Sequence, residues 1–174
     1  MFVADRNIKA AGEKLISPFL EEYVGPISYD LSAKEFHTTK GGEIVTYSRI
    51  CLNPGESVFV ACEEQIDLPL DMAAIINARN SKIRQGLRVD APIYYPGHKT
   101  RVFFRISNIS TDTIELSKGE QYAAIYFIKV DDCVDKPYEG TFNNELNFSG
   151  MAEYRGAYQK IMQKFESQKD DKNT

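Results

Sequence analysis

Residues 78–108 contain the side chains with the clearest chemical potential, in the sequence ARNSKIRQGLRVDAPIYYPGHKTRVFFRISN. The first part is a polar turn in which Arg79, Ser81 and Arg84 precede Gly86. Two guanidinium groups, a hydroxyl and backbone amides beside a glycine can surround a phosphate with charge-assisted hydrogen bonds. The pattern therefore predicts a phosphate-binding loop, although the two arginines could instead pair with acidic residues across a subunit interface.

The second part of this stretch bends at Tyr94-Tyr95-Pro96-Gly97 and continues as a strand with alternating polarity. A bend followed by an alternating strand is typical of a hairpin. Such a hairpin is suited to a flat, small ligand, because tyrosine rings can stack on a flat ring. The same tyrosines could equally pack at a subunit interface.

Short apolar segments separated by turns are expected to position this stretch. A first helix is predicted over residues 5–15, with Asp5 as its N-terminal cap and Ile8, Ala11 and Leu15 near one face. The segments with a strand-like pattern are 27–34, 43–51, 57–62, 72–78, 113–116 and 121–130. Strands that recur about every 8 to 12 residues are typical of a β-barrel or a β-sandwich.

The bulk composition indicates one globular domain without a polyanionic partner. The chain has 174 residues, of which 43% are hydrophobic, and a formal net charge of -4 at pH 7. That charge argues against binding to nucleic-acid polymers or anionic membranes, but not against binding one phosphorylated small molecule. We predict a single domain over residues 1–166 and a charged, disordered tail over residues 167–174.

The sequence shows no signal for export, membrane insertion or metal binding. The first residues are too charged for a signal peptide, and no apolar run approaches membrane-spanning length. Cys51, Cys62 and Cys133 are far apart, and His37 and His98 do not complete a zinc pattern with them. We therefore expect a cytoplasmic protein with reduced thiols and no bound metal.

Several short motifs occur in an order that resembles one known family. They are Asp5-Arg6-Asn7-Ile8, Ser28-Tyr29-Asp30-Leu31, Pro54-Gly55-Glu56 with Glu64 and Leu68-Pro69, residues 78–87, Pro96-Gly97 with Ser107-Asn108, and residues 119–127. Their order and spacing over residues 4–138 resemble the dCTP deaminase branch of the dCTP deaminase/dUTPase superfamily. The resemblance implies a mainly β, dUTPase-like distorted barrel (jelly-roll-like) with a short N-terminal helix and a C-terminal helical tail. It also implies a homotrimer with sites at subunit interfaces.

The resemblance places the binding half of a nucleotide site in the central stretch. Arg79, Ser81, Arg84 and Gly86 stand where the family has its phosphate-binding loop. Residues 89–95 stand where the family has the hairpin that holds a pyrimidine, chiefly through backbone groups. The implied base pocket is formed by Val89, Asp90, Tyr94, Tyr95 and Arg105.

The catalytic half of that site departs from the family's pattern. The glutamate that carries the proton transfers in the family corresponds to Arg105, and a guanidinium cannot act as a base at any relevant pH. Asn80 replaces the serine that helps to hold the reactive water, and Tyr95 replaces an aspartate. Ala124 replaces a glutamine that contacts phosphate. Asp90 could supply a substitute carboxylate, which would require a shifted hairpin.

The C-terminal residues resemble the family's closing segment more loosely. Residues 150–164 are permissive for a helix. By resemblance, Arg155, Tyr158 and Lys160 are predicted to close over the triphosphate. The alternative is an ordinary amphipathic helix with its apolar side packed against the barrel.

Three functions remain open at this point. The protein is a dCTP deaminase or a dUTP pyrophosphatase, or it binds a nucleotide without efficient turnover, or it is a structural trimer with a vestigial pocket. The retained arginines favour binding of a deoxynucleoside triphosphate or a related nucleotide, and the lost glutamate argues against catalysis. No tightly bound cofactor is expected, and Mg²⁺ enters only as an ion that accompanies a nucleotide.

Overall fold

The computed structural model describes residues 1–40 and 43–150 of the chain. These residues form eleven β-strands and two short α-helices. None of the helices in this part of the chain is long and apolar enough to cross a membrane. The predicted C-terminal helix, the contacts of Arg155, Tyr158 and Lys160, and the tail over residues 167–174 lie outside the described residues.

The N-terminal helix α1 covers Asp5–Ala11. Ile8 is buried as predicted, but the helix is shorter than the predicted 5–15, because Gly12 turns the chain with a φ of 49°. Leu15 is also buried, but it lies beyond the end of the helix. The prediction that Asp5 caps the helix is wrong, because Ala4 occupies the cap position in extended conformation and no side chain caps the helix. Asp5 is instead the first helical residue, where its negative charge suits the positive end of the helix dipole.

All six predicted strand segments are present, and several are longer than predicted. The strands are β1 Ile16–Ser17, β2 Val24–Gly25, β3 Ser28–Lys40, β4 Glu43–Tyr47, β5 Arg49–Leu52, β6 Ser57–Asp67, β7 Met72–Ala78, β8 Leu87–Asp90, β9 Lys99–Asn108, β10 Ile114–Ser117 and β11 Gln121–Lys129. The predicted strand 43–51 is divided into β4 and β5, because β4 pairs with β3 while β5 pairs with β10.

One antiparallel sheet contains most of the strands, in the order β7-β11-β3-β6-β9-β8. The two ends of this order meet, because Tyr94, which follows β8, and Ala74 of β7 exchange both backbone hydrogen bonds at 2.9 Å. The sheet therefore nearly closes on itself, as the predicted distorted barrel requires. The second helix, α2, covers Asn80–Arg84 between β7 and β8.

Alternating side chains divide β3, β6 and β9 into an inner and an outer face. The inner face is apolar, and its buried members include Leu31, Phe36, Val60, Val102, Phe104 and Ile106. The outer face is covered in part by residues 138–150, which follow β11 without regular strands or helices and which we call the strap. The space between the strap and the outer face of the sheet contains the candidate site.

Candidate functional site

A row of cross-strand neighbours on the outer face places Arg105 directly opposite Asp90. In the antiparallel register His37 is paired with Phe59, Phe59 with Arg105, and Arg105 with Asp90. Side chains of directly paired residues project from the same face of a sheet and approach each other. The Nη2 atom of Arg105 accordingly lies 3.3 Å from Oδ2 of Asp90, and the two groups meet without any shift of the hairpin.

Asp90 is held as an anion between two arginines. Its Oδ1 atom accepts a hydrogen bond of 3.0 Å from Nε of Arg88 and lies 2.8 Å from Nη2 of the same residue. Desolvation alone would raise the pKa of Asp90, but the hydrogen bonds from Arg88 and Arg105 bring this pKa below its ordinary value. A carboxylate with a lowered pKa is a poor general base near neutral pH.

A cavity of about 450 Å³ lies beside this ion pair. Asp90 and Arg105 are at its edge, and the rest of its lining is predominantly apolar and aromatic. One wall comes from β9 and the preceding loop and includes Tyr95 and Phe103, whereas the opposite wall comes from the strap and includes Phe148. A cavity of this size with few polar groups is typical of a small-molecule site.

Aromatic contacts fix both ends of the strap to the sheet. At one end the Tyr138 ring stacks on Tyr95, with 6.0 Å between the ring centroids. At the other end the Phe148 ring lies 4.9 Å from Phe59 and 5.8 Å from Phe103. The strap is therefore a packed wall of the cavity.

Hydrogen bonds join the middle of the strap to the start of β9. The backbone N–H of Arg101 donates to the carbonyl oxygen of Glu145 at 2.9 Å, and the Thr100 hydroxyl donates to the same oxygen at 2.8 Å. The backbone N–H of Asn144 donates to the carbonyl oxygen of Lys99 at 2.6 Å. These bonds satisfy backbone groups of residues 99–101, which lie outside the segment of β9 that pairs with β8.

The Arg101 side chain connects the strap to β6. Its Nε atom donates to the carbonyl oxygen of Leu146 at 2.7 Å, and its Nη1 atom donates to the carbonyl oxygens of Cys62 at 2.7 Å and Glu63 at 2.8 Å. The β6–β9 register shifts there, which leaves carbonyl groups without a ladder partner. Arg101 is buried and also lines the cavity. This role was not predicted from the sequence, because a charged residue on the outer face of a strand is normally solvated.

His98 lies between the cavity and the strap, and its ring centroid is 4.1 Å from that of Tyr138. Burial lowers the pKa of His98, so the ring is neutral at neutral pH. Its Nε2 atom is 3.2 Å from the carbonyl oxygen of Phe142. A carbonyl oxygen only accepts hydrogen bonds, so Nε2 carries the proton. The His98 ring therefore supports the strap and does not act as a charged group.

The predicted phosphate-binding loop is in fact the short helix α2, which begins after Arg79. The Nη2 atom of Arg79 lies 3.4 Å from Oδ2 of Asp30, and Nη1 donates to Oε1 of Gln121 at 3.1 Å. Ser81 and Arg84 are exposed on the helix surface. The pairing of Arg79 with an acidic residue thus occurs within one chain.

Gly86 ends α2 and is needed there for its conformation. Its φ angle is 84°, and its N–H donates to the carbonyl oxygen of Ile83 at 3.0 Å. A Cβ atom at this position would lie 2.5 Å from Cβ of Ser110. The Gly86 amide is therefore already bonded, and the glycine serves the tight turn between α2 and β8.

An ion pair between the buried Lys82 and the exposed Glu120, which was not predicted from the sequence, anchors α2 to the barrel. The Lys82 ammonium group pairs with Glu120, and the Tyr122 hydroxyl donates to Oε2 of the same glutamate at 2.6 Å. The Lys82 Nζ atom also lies 5.0 Å from the centre of the Tyr122 ring. These contacts fix the position of the neighbouring Arg79 and Ser81.

The structure brings only part of the predicted site together in one chain. The predicted residues that line the cavity are Asp90, Tyr94, Tyr95 and Arg105. The predicted residues outside that lining are Arg79, Asn80, Ser81, Arg84, Gly86 and Val89. Tyr94 is buried, and its hydroxyl donates to the Phe103 carbonyl oxygen at 2.9 Å. Within residues 1–40 and 43–150, no group of three or more His, Cys, Asp or Glu side chains is arranged to hold a metal ion.

Comparison with known proteins identifies the family of this chain. A family model described as dCTP deaminase-like matches residues 3–130. The chain belongs to this family. The match covers the whole barrel from the start of α1 to the end of β11, and it supports the resemblance to the dCTP deaminase/dUTPase superfamily.

Individual relatives of this dCTP deaminase-like protein carry related names. The dCTP deaminase of Pyrococcus horikoshii is 29% identical over 144 residues, which are 82% of this chain and 91% of the relative. A "dCTP deaminase, dUMP-forming" of Leifsonia xyli subsp. xyli is 28% identical over 183 residues, covering 91% of this chain and 86% of the relative.

A solved structure supports the fold. The 2'-deoxycytidine 5'-triphosphate deaminase from Agrobacterium tumefaciens superposes with a TM-score of 0.62 at 21% identity. The superposition covers 72% of this chain and 48% of that chain, so the shared barrel is about half of the longer protein. At this identity the likeness shows the common barrel alone.

Proposed function

We propose that this dCTP deaminase-like protein binds a nucleotide, a deoxynucleoside triphosphate or a related compound, without efficient turnover. The observation that carries the proposal is the position of Arg105. It stands where the resemblance expects the glutamate that transfers protons, and it is paired with Asp90 at the edge of an aromatic cavity.

Hydrolytic deamination requires a group that takes a proton from water and returns it to the leaving nitrogen. Arg105 keeps its proton at every relevant pH and cannot perform this transfer. Asp90 is bonded to two arginines, which lower its pKa. The other carboxylate at the cavity, Glu145, accepts hydrogen bonds from the Ser149 N–H at 3.0 Å and from the Ser149 hydroxyl at 2.7 Å. Neither carboxylate is a free base in this arrangement.

The cationic residues support binding of the phosphates. Arg79, Ser81 and Arg84 present two guanidinium groups and a hydroxyl around α2, outside the cavity lining. A nucleotide with its base in the cavity of one chain would meet the α2 region of another copy in a homotrimer, as the family resemblance implies. Mg²⁺ would then accompany the phosphates as the usual counter-ion of a nucleoside triphosphate.

The proposal is tested by incubating the protein with dCTP and with dUTP in the presence of Mg²⁺. Uracil formation and pyrophosphate release report turnover, and the shift in melting temperature reports binding through ligand linkage. We expect a higher melting temperature without turnover. Turnover of either nucleotide by the wild-type protein would overturn the binding-only function in favour of an enzyme. Absence of both signals would favour a structural trimer.

Arg105→Glu provides the sharper version of this test. It restores the expected carboxylate at the cavity, and we expect measurable uracil formation from dCTP where the wild-type protein gives none. Arg88→Glu is the matched control, because Arg88 also pairs with Asp90 but does not line the cavity. Equal gains of activity in both variants would show that the charge near Asp90 matters and the position of the carboxylate does not.

A further inference from the structure

Arg101 is a buried cation in the wall of the cavity, with only 8% of its surface exposed. Charged residues are seldom buried to this extent unless they are paired. Within residues 1–40 and 43–150 no acidic side chain forms an ion pair with Arg101. Glu63 pairs with Lys118, and the Glu145 carboxylate bonds to Ser149. Among the described residues, the groups that bond to this positive charge are therefore the carbonyl oxygens of Leu146, Cys62 and Glu63.

The hydrogen bonds of Arg101 leave one nitrogen for a ligand. A guanidinium group has five N–H donors. Nε and Nη1 use three of them on carbonyl oxygens of the strap and of β6. The two donors on Nη2 have no acceptor among the described residues. Because Arg101 lines the cavity, an oxygen atom placed beside it there could accept a hydrogen bond from these free donors.

The other residues of the cavity wall indicate which chemical group of a ligand carries that oxygen atom. Tyr95, Phe103 and Phe148 line the space with aromatic rings, which favour a flat conjugated ring through stacking. A phosphate group would need several charged donors to replace its hydration. Among the described lining residues the cations are Arg101 and Arg105, and Arg105 is already paired with Asp90. The chemistry therefore fits a flat ring that bears a carbonyl oxygen.

We propose that Arg101 is a specificity-determining residue that donates from Nη2 to a ring carbonyl oxygen of the bound nucleobase. The proposal rests on the nucleotide-binding function and adds a residue and a wall to its site. The strap takes part directly, because Leu146 holds the Nε end of the same guanidinium group. Arg101 thus connects the strap to recognition of the base.

The test compares dissociation constants for dUTP in the wild-type protein, in Arg101→Lys and in Arg49→Lys. A lysine cannot hold the carbonyl groups and donate to the base at once, so we expect binding to weaken on the order of 10- to 100-fold. Arg49→Lys makes the same change at an exposed arginine that pairs with Glu115 and does not line the cavity, and should change the constant by less than about threefold. An equal loss in both variants, or no loss in Arg101→Lys, would overturn the proposal.

A second measurement needs only the wild-type protein and does not depend on a variant that folds. Sulfur is a weak hydrogen-bond acceptor, so 2-thio-dUTP or 4-thio-dUTP should bind about tenfold or more weakly than dUTP. Equal affinity for all three compounds would overturn the role of Arg101. Failure of the wild-type protein to bind dUTP or dCTP at all would instead overturn the nucleotide-binding function, so the two failures are distinguishable.

Discussion

Replacement of Phe148 by alanine should release the strap while leaving the barrel folded. The Phe148 ring contacts the rings of His37, Phe59 and Phe103, with centroid distances of 4.9, 4.9 and 5.8 Å. Aromatic pairs contribute about 0.5 to 1.5 kcal/mol each, so three contacts amount to roughly 2 to 4 kcal/mol. All three partners lie on the outer face of the sheet, so the barrel interior keeps its packing.

Hydrogen exchange can measure this release residue by residue. The Arg101 N–H donates to Glu145 of the strap, whereas the Ala74 N–H donates to Tyr94 at the barrel closure. In Phe148→Ala, exchange of the Arg101 amide should accelerate by roughly 30-fold or more, because each 1.4 kcal/mol of local stability is about a factor of ten. The Ala74 amide should be unaffected.

Phe2→Ala is the matched control for the loss of an aromatic side chain. Phe2 is exposed and has an edge contact with Tyr126 at 6.2 Å, remote from the strap. It should leave the Arg101 amide unchanged. If Phe148→Ala does not accelerate exchange at Arg101, or accelerates Ala74 equally, then the strap is not an independently opening wall and the reasoning fails.

Two further predictions concern a turn and a buried carboxyl group. Gly86→Ala should lower the free energy of unfolding by about 3 kcal/mol, because the new Cβ atom would lie 2.5 Å from Ser110 and the backbone has a φ of 84°. Gly119 has nearly the same φ, 83°, but open space around it, so Gly119→Ala should lower the free energy of unfolding by only about 1 kcal/mol. Burial raises the pKa of Glu64 from 4.5 to about 7, so stability should fall as the pH rises through this window. Glu64→Gln should remove that slope, and Glu63→Gln should keep it.

Denaturant titrations check both predictions. Equal costs for the two glycine variants would contradict the steric account of the turn after α2. The free energy of unfolding falls with rising pH because, between pH 4.5 and about 7, the folded state holds a proton on Glu64 that the unfolded state has lost. A slope that persists in Glu64→Gln would assign it to another group.

The barrel was predictable from the sequence, because short apolar segments recur between turns and residues 27–34 alternate between apolar and polar side chains. The choice of Asp90 as the partner of Arg105 was not, because register depends on the whole loop between β8 and β9. Pro92 and Pro96 in that loop cannot donate to a ladder, so the strand ends at Asp90 and Tyr94 bonds to β7 instead.

The strap and Arg101 escaped prediction for a related reason. The strap has no periodic pattern, and its rings pack against side chains that belong to distant strands. Arg101 occupies an outer position of β9, where a charged residue normally remains in solvent. Only the folded chain shows that the strap buries it. Tertiary contacts of this kind leave no signal in a short sequence window.

The family model matches one wall of the cavity but not the other. The wall formed by β9 lies inside residues 3–130, which the family model matches, whereas the strap begins beyond them at residue 138. Substitutions in the strap could change the shape of the cavity without disturbing the core that stabilises the barrel. Ligand preference could therefore diverge between related proteins through this short peripheral segment, while the fold is inherited unchanged.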